Sequence, residues 1–420
     1  MTAVDAGDSR MLTTADGRPL KDALSRAQGR AKRRAFLLVA PLLLFILVTF
    51  VWPILQVLEQ SVYNPKFSDN MPGMVAWFAS HPVGTEPDEA AYATLVADLK
   101  AAAEAKTVAV AGERVNYALP GTRSLFTAVG RKAKTLEPPF KESLIAVDPK
   151  WGDPELWGVM RQVAKPYTGD FFLAAVDLER DKNGSIVRVN ENERVYVNLF
   201  LRTFAMSAFI TAICLVLAYP VAHLLAVLPV RQSNLLMILV LLPFWTSLLV
   251  RTTSWIVLLQ EQGVINNILV ALGIISDDGR LQMINNRMGT TIAMTHILLP
   301  FMILPLYSVM RPIPPSYVRA ARSLGATSWT AFRRVYFPQT VPGIGAGTLL
   351  VFILSVGYYI TPALVGGSTG TLISNLIAFH VNKSNNWSMA AALATILLAA
   401  ILILYWLYDK LVGIDKLKLG

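Results

Sequence analysis

The sequence predicts an all-α integral membrane protein with six transmembrane helices, a cytoplasmic helical elbow and one extramembrane insert, and three observations carry that fold class. The chain is 54% hydrophobic and only 16% charged over 420 residues, and its mean hydropathy is +0.47, too apolar for a soluble protein of this size. Six apolar runs are each long enough to cross about 30 Å of hydrocarbon, which takes roughly 20 helical residues. Basic residues collect beside alternate ends of those runs, the bias that orients membrane helices.

Residues 1–34 are polar, without a periodic apolar face, and read as a disordered basic tail closing on Arg30, Lys32, Arg33 and Arg34. The first apolar run, residues 35–58, follows directly. It is longer than a signal peptide's apolar region and lacks a small-residue cleavage site, so it reads as an uncleaved membrane helix. Residues 59–197 then form an insert with 19 of the 28 acidic and 16 of the 38 basic residues, a net of −3 that leaves +13 for the remainder. Topology places it outside, and its length is enough for its own core.

Within the insert, Pro87–Lys106 puts Ala91, Leu95, Leu99 and Ala102 on one helical face. Pro154–Val163 is a second expected helix, with Asp153 as its cap. Ser185–Val189 alternates after the Asn183-Gly184 turn and is expected to form a hairpin with Phe172–Val176. The insert is therefore expected to be a small α+β or mainly helical domain. It carries no nucleophile triad, zinc spacing or glycine-rich phosphate loop, and both a docking platform for an outside partner and a stabilising elaboration fit it.

Five more runs lie near Leu199–Leu228, Asn234–Leu259, Met288–Met310, Thr340–Leu364 and Ser388–Val412, a five-helix core over 199–412 ahead of a tail at 413–420. Pro243 and Arg251 interrupt the second of these, which can hold a broken helix or a re-entrant end. With the N-terminus in the cytoplasm, the inner segments collect Arg231, Arg311, Arg319, Arg322, Arg333, Arg334, Lys410, Lys416 and Lys418. An even number of crossings returns the C-terminus to the same side. The net charge of +10 thus follows from membrane orientation and needs no nucleic acid. Cys214, the single cysteine, excludes a disulfide framework and a Cys-based metal site.

A polar, basic segment at 311–342 separates two of the long runs. Pro314 and Pro315 suit a helix start. Tyr317, Ala320, Ala321 and Leu324 then make one apolar stripe, and Gly325 fits the position where a left-handed residue ends a helix. Thr327 or Ser328 can cap a second helix, whose Trp329, Phe332, Arg333 and Tyr336 share a face before Pro338 stops it. The simpler alternative is a solvated basic loop.

The punctuation Arg319-Ala320-Ala321, Gly325, then Val335-Tyr336-Phe337-Pro338 resembles the EAA loop of binding-protein-dependent ABC transporter permeases, with Arg319 standing where that family usually has Glu. Two further stretches resemble the spermidine/putrescine branch of these permeases: Leu242–Thr252 with Trp255 and Gly263–Asn267, and Ser355–Gly367. The likeness covers roughly residues 199–410 and does not extend to the insert. It implies a bacterial inner-membrane permease subunit, not an enzyme, with both termini cytoplasmic and the insert periplasmic. It also implies separate ATP-binding cassette ATPases, a second permease and a periplasmic solute-binding protein, with ATP used by those partners and no cofactor on this chain. No Walker-type loop occurs.

On that resemblance the ATPase-coupling residues are Arg319, Ala320, Ala321, Leu324, Gly325, Ala326, Phe332 and Pro338; from an intramembrane charge and from aromatic π faces in the apolar runs, the candidate path residues are Trp245, Arg251, Trp255, Ser355 and Tyr359. The bland readings are that Arg251 snorkels to the interface and that the aromatics, Tyr358 included, are interfacial anchors. His223, His296 and His380 show no ligand pairing and are given no chemistry. A polyamine such as spermidine or putrescine is the expected solute, although no acidic cluster lies in the apolar runs. Permeases for amino acid derivatives, thiamine or phosphonate, an ion-coupled secondary transporter and a membrane-anchored receptor are the competing functions.

Overall fold

The computed structural model describes residues 20–180 and 185–412. Residues 1–59 and 60–420 form separate compact units. The first is a single rod: α1 (Leu20–Ile46), a π-helical turn over Leu47–Val51, and α2 (Trp52–Gln60). Helix therefore replaces the expected disorder over 20–34, because Leu, Ala, Lys, Arg and Gln there are strong helix formers that extend the span backwards. Residues 1–19 of that tail lie outside the described residues, as does the tail at 413–420 with Lys416 and Lys418. Apolar side chains are exposed all round the rod, Leu38 at 82%, as on a lipid-facing helix.

The insert is mainly helical: α3 (Pro72–Ser80), α4 (Glu89–Glu104), α5 (Val108–Asn116), α6 (Thr122–Lys132), α7 (Phe140–Val147), α8 (Pro154–Val163) and α9 (Asp170–Ala175). On α4, Ala91, Leu95, Leu99 and Ala102 are buried, and Asp88 caps the helix by accepting from the Ala91 N–H at 2.9 Å. Asp153 caps α8 in the same way through Glu155. Phe67, Met71, Phe126, Trp151 and Met160 complete the core. Two buried donors share one acceptor inside it: the Trp151 carbonyl accepts from Tyr92 and from Trp157, at 3.0 and 2.8 Å. Buried Asp98 receives the N–H groups that open α3, at Gly73 and Met74.

The hairpin forms with a different partner from the one expected. Strand β2 (Ile186–Arg188) pairs antiparallel with β1 (Leu178–Arg180), while Phe172–Val176 falls mostly in α9, where Phe171 and Ala175 are buried at helical spacing. Thr168 accepts the Asp170 N–H at 3.1 Å and starts that helix. The expected Asn183-Gly184 turn lies outside the described residues.

The membrane core is built on α10 (Tyr196–Val227), with α11 (Val230–Leu241), α12 (Leu248–Leu259) and α13 (Val264–Ala271) following it. After these come α14 (Arg287–Met310), the elbow helices α15 (Pro315–Ser323) and α16 (Ser328–Ala331), α17 (Phe337–Gly357), α18 (Ile360–Val365), α19 (Ile373–Asn382) and α20 (Trp387–Val412). Helices α10, α14 and α17 pack around Ile210, Cys214, Met294, Met302 and Val351. Gly347 lets α17 approach α14 closely, since a Cβ there would fall 2.7 Å from Met302 Sδ.

Two apolar runs are not continuous helices. The run holding Pro243 breaks between α11 and α12 with a bend of 96°, and the run ending at Leu364 breaks at Tyr358 and Tyr359 before α18. Pro338, by contrast, does not end a helix: residues Ser328–Gly357 form one continuous helical span. A π turn over Phe332–Tyr336 precedes it, closed by the Phe337 N–H on the Phe332 carbonyl. Widening the turn there relieves the clash a proline ring makes with the carbonyl four residues back. Pro53 follows the first π turn at the same offset.

The 32 residues of α10 span roughly 48 Å at 1.5 Å per residue. The insert meets the N-terminal end of this helix, where Asp177 accepts the N–H groups of Val195, Tyr196 and Val197. At the C-terminal end Arg311 donates to the carbonyls of Ala226 and Leu228. Insert and elbow therefore occupy opposite ends of the bundle. In a Cys214→Ala background, Ser328→Cys should react with an impermeant thiol reagent only from the cytoplasmic side. Val83→Cys, at a position 75% exposed, should react only from the outside. Labelling of both from one side would overturn the topology.

Candidate functional site

The elbow is assembled by local rules. Pro315 opens α15, and after Leu324 the chain turns through Gly325 at φ +89°. The Ala326 N–H returns to the Ala321 carbonyl at 3.1 Å and the Gly325 N–H to Arg322 at 3.0 Å, a left-handed helix end. Thr327, rather than Ser328, caps α16 by accepting the Thr330 N–H. The elbow's root is anchored: Phe332 stacks on Trp329 and meets the ring edges of Tyr219 and His223 on α10, while Tyr336 packs on His223 at 4.9 Å.

The elbow's tip has no covering partner among the described residues. No residue of α15 is buried, and Leu324 is 90%, Trp329 68% and Tyr317 52% exposed. Arg319, Ala320 and Pro338 are exposed, and Ala321, Ala326 and Phe332 half-buried. No Asp or Glu occurs between Asp278 and Asp409, and among the described residues Arg319, Arg322, Arg333 and Arg334 make no ion pair, so they form a basic rim around exposed apolar side chains. Such a surface suits an acidic, apolar-socketed protein face.

The candidate path residues are only partly brought together. Trp255 on α12 donates through Nε1 to Nδ1 of His296 on α14 at 3.2 Å. Arg251, one helical turn away, lies within electrostatic range of His296 and Tyr358, and its buried Nε has no hydrogen-bond partner among the described residues. Thr252 faces Thr361 at 3.3 Å and joins α12 to α18. Ser355 is fully buried, with its Oγ unpartnered among the described residues. Trp245 and Tyr359 stand apart from this group as surface side chains, 82% and 45% exposed. His296, given no chemistry from sequence, is the residue the fold adds; nothing local to it signals that α12 crosses there.

Residues 203–412 match the family of binding-protein-dependent transport system inner membrane components. The spermidine/putrescine transport system permease protein PotB of Haemophilus influenzae is 35% identical over 222 residues, covering 52% of this chain and 77% of that one. PotB of Escherichia coli is 35% identical over 222 residues, 52% of this chain and 80% of its own. The inner membrane ABC transporter permease protein YdcU of Escherichia coli is 32% identical over 257 residues, 59% and 80% of the two chains.

Proposed function

This chain belongs to the family of binding-protein-dependent transport system inner membrane components, and from that premise we propose that it carries a polyamine such as spermidine or putrescine. It is a multi-pass inner-membrane permease subunit of an ABC importer, not an enzyme. Separate ATPase subunits use ATP, a second permease completes the path, and a periplasmic binding protein delivers the solute. The observation that carries the substrate is the 35% identity to two permeases named for spermidine and putrescine.

The elbow is the coupling element. Closure of the ATPases pulls on α15 and α16, and the stacked rings of Trp329, Phe332 and Tyr336 pass that displacement to α10 and, through the continuous helix, to α17. Along the path, Trp255 offers a π face to an ammonium group, and Ser355, buried in this conformation, holds a hydroxyl without a partner among the described residues. Arg251 repels a polycation, so the carboxylates that hold the ammonium groups belong to the second permease or the binding protein. The insert is the binding protein's landing surface, and this chain itself holds no cofactor.

Proteoliposomes containing both permeases and the ATPases test this reading. Hydrolysis should rise when spermidine-loaded binding protein is supplied. Trp255→Ala should weaken uptake about fivefold, the loss of one cation–π contact of ~1 kcal/mol. Stimulation only by a binding protein loaded with another solute would refute the polyamine assignment.

A further inference from the structure

The insert is fastened to the membrane core at two places far apart in sequence. Asn64, at the insert's start, donates through Nδ2 to Ser388 Oγ on α20 at 2.9 Å, and both side chains are buried, 5% and 6% exposed. Beside it Lys66 donates to Glu113 at 3.3 Å and to the Tyr117 hydroxyl at 3.0 Å. That hydroxyl lies 2.6 Å from Glu113 Oε1 and 2.9 Å from the Asn385 carbonyl, and the Asn385 amide donates back to Glu113 at 3.2 Å. Asn385 takes a left-handed backbone, φ +55°, at the entrance to α20, and Asn386 next to it caps that helix through the Met389 N–H. Burial raises the Glu113 carboxyl, yet Tyr117 and Lys66 outweigh it and hold the group below its ordinary range, so the network is charged at neutral pH.

The second fastening is the Asp177 carboxylate on the first turn of α10, at 3.2, 3.1 and 2.8 Å from three N–H groups. Between the two, Phe171 and Ala175 of the insert share one buried apolar cluster with Leu199 of α10 and Met389 and Leu393 of α20. Tyr196 at the head of α10 also bonds His380 on α19 at 3.1 Å. A hinged accessory domain would have a polar, mobile boundary; this one holds a buried apolar cluster, a buried side-chain hydrogen bond and a carboxylate cap. The apolar runs that break, at the 96° bend and at Tyr358 and Tyr359, are neither of the two, α10 and α20, to which the insert is fastened.

We propose that the insert is a rigid lever fixed to the outer ends of α10 and α20, so that a binding protein seated on it acts on those two spans as one body, and outward opening takes place at the breaks in the runs containing α11–α12 and α17–α18. The lever role rests on the reading of the insert as the landing surface; the rigidity does not.

Rigidity is tested by bridging Asn64→Cys to Ser388→Cys with a short bis-thiosulfonate in the Cys214→Ala protein, and separately Tyr117→Cys to Asn385→Cys. Uptake by the complete complex should stay within about twofold of the unbridged protein, because no relative motion is blocked. A large fall on bridging that dithiothreitol restores would show that insert and span move apart, and would overturn the proposal. Transmission is tested by Asn64→Ala with Tyr117→Phe. Maximal stimulation of hydrolysis should drop while the binding-protein concentration for half-stimulation is unchanged. Unchanged maximal stimulation would overturn the lever, whereas a shift in the half-stimulating concentration alone would place these residues in docking and also overturn it.

Discussion

Gly325→Val should abolish most transport while leaving the membrane helices inserted. The residue sits at φ +89°, and a Cβ there would meet nothing within 4 Å, so space is not the constraint. What a side chain meets is its own backbone: a left-handed conformation costs an L-residue ~1–2 kcal/mol, and a β-branched one more. Two hydrogen bonds, Ala326 to Ala321 and Gly325 to Arg322, depend on that turn. If the strain is relieved by unwinding, α15 and α16 lose their relative angle and the exposed Leu324 and Trp329 no longer present one surface. A loss of ~1–2 kcal/mol lowers the docking-competent population roughly 5- to 30-fold. Co-purification of the ATPase and uptake should fall together. Gly325→Asn should retain much of both, since Asn tolerates this region better. Wild-type uptake by the valine variant would remove the elbow from the coupling role.

Replacing residues 88–192 with a flexible Gly/Ser linker is expected to reduce binding-protein stimulation of ATP hydrolysis to its basal level, with ATPase assembly retained. The elbow lies at the other end of α10 from the removed segment, so basal hydrolysis is the internal control. The excision also removes Asp177 and the Glu113 and Tyr117 partners of Asn385, leaving the start of α10 uncapped and the entrance to α20 without its network. Thermal stability should therefore fall as well. Asp177→Ala in the full chain separates stability from docking: loss of a carboxylate cap costs about 1–2 kcal/mol and should lower the melting temperature and, by loosening the fastening to α10, the maximal stimulation, while the half-stimulating binding-protein concentration stays unchanged. Full stimulation of the excised protein would leave the insert as a stabilising elaboration.

Features written in consecutive residues were legible from the sequence. Pro314, Pro315, Gly325 and Thr327 each dictate a backbone choice where they stand, so the elbow could be drawn before its surroundings were known. Asp153 announced its helix for the same reason. Pro338 misled because the rule that proline ends a helix assumes an unbroken α ladder, and the π turn before it changes that geometry. The short stretch 172–176 carried both helical and alternating patterns, and burial of Phe171 with Ala175 decided for helix. Nothing local could have disclosed the seam: Asn64 and Ser388 are 324 positions apart, and Tyr117 and Asn385 are 268 apart. Their meaning exists only once the bundle closes. The Trp255 and His296 pair, 41 positions apart, was hidden for the same reason.

The Asp177 cap also bears on biogenesis. A membrane helix normally reaches the translocation channel with four backbone N–H groups at its leading end still unsatisfied. Here the carboxylate that receives three of them precedes Val195 by 18 residues, and so leaves the ribosome first. On the proposed outside placement of the insert, Asp177 is already on the far side when α10 arrives, and its negative charge meets the positive end of the incoming helix dipole. The order of synthesis thus delivers the cap before the helix that needs it, and a chain whose insert is slow to cross would present α10 to the bilayer unfinished.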